Sequence, residues 1–92
     1  MHNPSLQLMR SFTLDIDEKY FNLLWRSITC RENVLLAKIS DEPEDSDEAA
    51  LLENDVVYLR LCKKSLEEKA RTATFSEGVF SLEEKFVDLN DL

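Results

Sequence analysis

Two stretches of helical hydrophobic periodicity, separated by an octet with six carboxylates, constrain this chain more than any other feature. Residues 41–48 read Asp-Glu-Pro-Glu-Asp-Ser-Asp-Glu. Such a segment is too charged to enter a core, and Pro43 disfavours helix at the residue before it. Upstream, Phe21, Leu24, Ile28, Leu35 and Ile39 recur at helical spacing, and Tyr20, Trp25 and Leu36 widen the stripe. Downstream, Leu52, Val56, Leu59, Leu66, Ala70 and Ala73 do the same, widened by Leu51, Tyr58 and Cys62. Lys63 falls inside this second stripe, so its ammonium must snorkel to solvent or meet an acid. Start signals agree with the periodicity. Asp15 with Glu18 makes an acidic capping box before the first stripe, with Asp17 as a second candidate cap; Asp45 with Glu48 offers another before the second. The spacing therefore predicts a helix over about 16–40, an acidic hinge over 41–46, and a helix over about 46–72. Across so short a hinge the two helices must run antiparallel.

The flanks follow other periods. Leu6, Leu8, Phe12, Leu14 and Ile16 alternate with polar residues, which predicts a half-buried β-strand over about 6–14. Thr74 to Phe80 offers a short second strand, antiparallel to the first. Ser81-Leu82-Glu83-Glu84 is a capping box opening a short C-terminal helix with Leu82, Phe86 and Leu89 on one face. The expected fold is one small, mainly α domain over 1–92: an antiparallel helical hairpin preceded by one strand, closed by an acidic, apolar tail over 73–92. A single glycine and two prolines are too few turn-formers for an all-β fold.

Each helix also carries apolar residues off its main stripe. Leu23 and Val34 do so on the first, Val57 and Leu61 on the second. A helix greasy on two sides has two partners. These residues, with Trp25, predict a homodimer interface in which two hairpins form a four-helix bundle. A hairpin centred near Pro43 sets Arg31 across from Asp55, and an interhelical salt bridge is expected there.

The net charge of −8 is unevenly distributed. Residues 1–40 and 49–73 each carry +1, whereas 41–48 carry −6 and 74–92 carry −4. Free nucleic acid is repelled by such a balance. The local basic stretch from Arg60 to Arg71 supports the alternative of a dimeric nucleic-acid regulator. No catalytic constellation is legible. The lone histidine, His2, leaves Cys30 and Cys62 without an activating base and leaves zinc short of ligands. The hinge carboxylates lack the glycine of a calcium loop. Neither enzyme activity nor a cofactor or metal is expected. The two cysteines fall on different helix faces, which predicts free thiols and a reducing compartment. The first twenty residues lack an apolar signal core, and no run is long enough to span a bilayer, so a cytoplasmic protein is expected. The functional expectation is a small, acidic, non-enzymatic interaction or regulatory protein. It would dock another protein through its helix faces and tail, with Phe80, Phe86 and Leu89 as anchors.

Overall fold

The computed structural model describes residues 10–83. Two helices form the expected hairpin. The first, α1, spans Glu18–Ser40 and the second, α2, spans Asp47–Thr72. A short 3-10 helix at Glu77–Phe80 lies back against α1.

The helix ends are set by particular side chains. Asp17 caps α1: its carboxylate accepts the Tyr20 N–H at 2.8 Å. Glu18 does not close a box with Asp15. It accepts instead from the backbone N–H (3.2 Å) and the hydroxyl (2.6 Å) of Ser76, tying the first turn of α1 to the chain beyond α2. Ser46, and not Asp45, caps α2, accepting the Ala49 N–H at 2.8 Å. Asp45 turns the chain into that cap with φ 65°, a left-handed conformation that Asp tolerates better than most residues. At the other end of α2, Phe75 N–H donates to the Ala70 carbonyl (3.0 Å) and Thr74 N–H to the Arg71 carbonyl (3.1 Å). That pair of bonds is the Schellman stop, and it puts Thr74 in the left-handed region with φ 59°.

The core has two centres along the hairpin. Near the hinge, Leu35 of α1 and Val56 of α2 are buried. At the open end, Phe21, Ala70 and Val79 are buried, with Ile16, Trp25, Leu66, Phe75 and Phe80 packed around them. Four aromatic rings interlock here. Phe21 meets Phe75 and Phe80 edge to face at 5.7 and 5.8 Å, and Trp25 meets Phe80 edge to face at 4.9 Å. Each such pair contributes about 0.5–1.5 kcal/mol beyond its burial. The 3-10 helix is thus a third layer over a pair of helices that cannot cover each other.

The expected strands are not formed. Residues 10–17 carry no regular secondary structure, and Phe12 and Leu14 are exposed; residues 6–9 lie outside the described residues. The physical reason lies in the segment meant to pair with them. Val79 and Ser81 give their carbonyls to the side-chain amide of Asn22, both at 2.9 Å, and residues 77–80 coil into a 3-10 turn. A strand without a partner leaves its backbone groups unpaired, so the alternation at the N-terminus finds no sheet to join. Of the expected C-terminal helix, residues 81–83 are not helical, and the remainder lies outside the described residues.

Candidate functional site

Helix geometry and burial divide each helix into an inner and an outer face. On α1, Phe21, Ile28, Leu35 and Ile39 point toward α2 and are buried or half-buried. On α2, Leu52, Val56, Leu59, Leu66 and Ala70 point back. At 100° per residue, the direction opposite the inner stripe of α2 passes through Ala50, Asn54, Val57, Tyr58 and Leu61. On this outer side Val57 is 55% exposed, Tyr58 69% and Leu61 60%, with Leu51 at 61% on its edge. Four large side chains on one helix thus form a contiguous apolar patch. Single exposed apolar residues need no explanation, but a patch of neighbours marks a contact surface.

Tyr58 and Leu51 were expected to widen the buried stripe of α2, as Tyr20 and Leu36 were on α1. All four are exposed. The two helices meet along a narrower seam than the sequence implies: the 3-10 helix covers one side of the groove, and no segment among the described residues covers the other. The angular position of Tyr58 relative to Val57 and Leu61 was the signal that could have placed it outside.

The five expected dimer-interface residues do not share a surface. Trp25 is inside, against Phe21 and Phe80, with the Lys63 ammonium 4.6 Å from its ring centre. Leu23 and Val34 are exposed, but on the side of α1 turned away from α2. There Val34 borders a shallow groove of about 410 Å³ lined by Arg26, Thr29, Cys30, Asn33, Ala37 and Leu82. Val57 and Leu61 face the opposite way. One two-fold contact cannot engage both pairs, so the structure does not support a four-helix bundle built on all five. Of the expected tail anchors, Phe80 is half-buried within this chain, where Arg71 stacks over its ring at 5.0 Å. Phe86 and Leu89 lie outside the described residues.

Four charged groups of α2, Arg60, Lys63, Glu67 and Arg71, are paired within the chain. Arg31 and Asp55 are exposed and form no ion pair with each other. The interhelical pairing instead centres on Glu32, which accepts from Arg60 Nε at 2.8 Å and lies 3.6 Å from the Lys63 ammonium. The observed partners fall at least one helical turn further along α2 than a hairpin symmetric about Pro43 implies. Glu32 and Arg31 are neighbours on α1, and the need of Lys63 for an acid was the one sequence signal that favoured Glu32. Glu32 sits in the gap of the α1 stripe, facing the Lys63 that interrupts the α2 stripe. Its carboxyl is held below the ordinary carboxylate value, first by the Arg60 hydrogen bond, against the opposing effect of desolvation. Arg71 is held by Glu67 (2.9 Å) and by Glu77 of the 3-10 helix. The hydrogen bonds that Arg71 donates to Glu77 and Glu67 raise its pKa.

Cys30 is exposed, Cys62 half-buried, and both are free. Among the described residues no three potential metal ligands converge, and no helix is long and apolar enough to cross a membrane. Compared with protein-family models, curated proteins and solved structures, the chain finds no match.

Proposed function

We propose that this chain is a non-enzymatic protein-interaction module whose working surface is the outer face of α2. The supporting observation is the exposed cluster of Leu51, Val57, Tyr58 and Leu61 on a helix whose opposite side is already occupied by the core. This moves the working surface from the tail, where Phe80 is engaged internally, to the helix. A homodimer belongs to this reading, with Val57 and Leu61 at its centre and Leu23, Val34 and Trp25 outside it. The alternative of nucleic-acid binding loses three of its five cations to internal carboxylates: Arg60 and Lys63 to Glu32, Arg71 to Glu67 and Glu77.

Two measurements test the proposal. Leu61→Asp, on an exposed position, is expected to keep the helical circular-dichroism spectrum while losing crosslinked protein partners, homotypic or heterotypic. Unchanged crosslinking to all partners overturns the role of this face. In a titration with duplex DNA at low salt, no binding is expected. Tight association falling steeply with added salt would favour the nucleic-acid reading.

A further inference from the structure

We infer that the occupant of the α2 outer face is a second copy of this chain, paired antiparallel, α2 against α2, about a two-fold axis between Val57 and Leu61. The inference deepens the interaction reading above and rests on it. Two independent features carry it.

The first is spacing. Ala50, Asn54, Val57, Leu61, Lys64 and Glu68 recur at alternating steps of four and three along α2. Steps of four and three trace one line along a helix; on this line Ala50, Val57 and Leu61 are apolar and Asn54, Lys64 and Glu68 are polar, so the apolar contact is a short one centred on Val57 and Leu61. The seam runs over a helix of 26 residues, long enough for several turns of contact. Its apolar middle, Val57 and Leu61, is exposed, so no segment among the described residues already fills it.

The second is charge. The N-terminal half of α2 carries Asp47, Glu48, Glu53 and Asp55; the C-terminal half carries Arg60, Lys63, Lys64, Lys69 and Arg71, offset by Glu67 and Glu68. Glu53 and Lys64 flank the apolar patch on the same edge of the outer face, and neither forms an ion pair among the described residues. A parallel pair would bring the seam lysine, Lys64, against Lys64 of the second copy, and would leave Glu53 on the opposite edge of the contact from its own counterpart. An antiparallel pair sets each Glu53 beside Lys64 of the second copy, twice by symmetry, and faces Asn54 with that same lysine. A two-fold contact is self-complementary by construction, and here opposite charge selects its direction.

The full chain is examined by sedimentation over a range of concentrations, with five variants. Wild type is expected to reach twice the chain mass. Leu61→Asp is expected to weaken association by about tenfold or more, equivalent to about 1.4 kcal/mol, and Leu23→Asp to leave it unchanged. Glu53→Lys and Lys64→Glu are each expected to weaken the dimer, and the double reversal to restore it. Rescue by the double variant is a result that misfolding of one variant cannot mimic. A chain that stays monomeric at all concentrations, a dimer indifferent to Leu61→Asp, or charge reversals that add without rescue would each overturn the antiparallel pairing. A monomer whose Leu61→Asp variant still loses its crosslinked partners would overturn the second copy while leaving the interaction reading standing.

Discussion

At the scale of single residues, Glu32 shows how one carboxylate can fix the alignment of two helices. Its side chain is only 12% exposed, yet it meets a guanidinium and an ammonium from α2. An acid so placed is desolvated, which favours its neutral form, but the Arg60 hydrogen bond outweighs that penalty and lowers its pKa. Linkage fixes the consequence. A carboxyl whose pKa is depressed in the folded state adds its full stabilisation above the ordinary value, 4.5 for Glu. That stabilisation is lost as pH falls through the lower folded value. Glu32→Gln is expected to cost about 1 kcal/mol at neutral pH, in the range for a partly exposed charged hydrogen bond. Below the folded pKa the wild-type carboxyl is itself neutral, and the difference should vanish. Urea unfolding of both proteins at pH 7 and at a series of lower pH values checks this; a gap that does not narrow as pH falls would show that the charge is not what Glu32 contributes. Arg31 and Asp55 show what sequence could not supply. Both flank their stripes, and either Arg31 or Glu32 could have faced α2. The choice depends on helix rotation, which is fixed by the packing of Phe21, Leu35 and Val56 and by no local rule.

At the scale of elements, the helices were legible almost to the residue, because period, cap chemistry and the hinge proline all point the same way. α1 and α2 begin one or two residues inside the expected bounds and end where expected. The flanks were misread because alternation is a necessary sign of a strand and not a sufficient one. Phe75, Val79 and Phe80 are apolar and closely spaced in either a strand or a 3-10 turn, and what decides between them is nonlocal: Asn22 reaches from α1 to take the Val79 and Ser81 carbonyls. The turn that redirects the chain into this layer is strained at one place. Thr74 occupies the left-handed position of the Schellman stop with φ 59°, where a β-branched side chain crowds its own backbone. Glycine meets no such clash. Thr74→Gly is therefore expected to stabilise the fold by about 1 kcal/mol, net of the greater freedom glycine has in the unfolded chain. A higher midpoint in thermal or urea unfolding is the expected result. A lower one would show that the Thr74 side chain contributes more than its backbone strain costs.

At the scale of the whole molecule, the hairpin is an incomplete core finished by a short third layer, and among the described residues one outer face is left open. Two helices share a single line of contact, and here that line is closed at the open end by Phe75, Val79 and Phe80 packing on Phe21 and Trp25. Glu18 with Ser76, Asn22 with Val79 and Ser81, and Arg71 with Glu77 hold this layer to both helices. The Glu18 and Asn22 contacts are long-range in sequence, so the layer and the hairpin should lose structure together. A chain ending at Ala73 removes Phe75, Val79 and Phe80 and uncovers Phe21, Trp25 and Ala70. Burying one large apolar side chain is worth about 1.5–3 kcal/mol, and a domain of this size has only about 5–10 kcal/mol in total. The shortened chain is expected to lose its cooperative unfolding transition. Trp25 is the sole tryptophan and lies at the centre of the affected cluster, so its emission should shift to the red before any denaturant is added. A chain ending at Glu83 keeps every contact named above and should retain both the transition and the native emission. If the chain ending at Ala73 unfolded as sharply as the full chain, the two helices would be a self-sufficient unit. The aromatic layer would then be an attachment to the fold and not its completion.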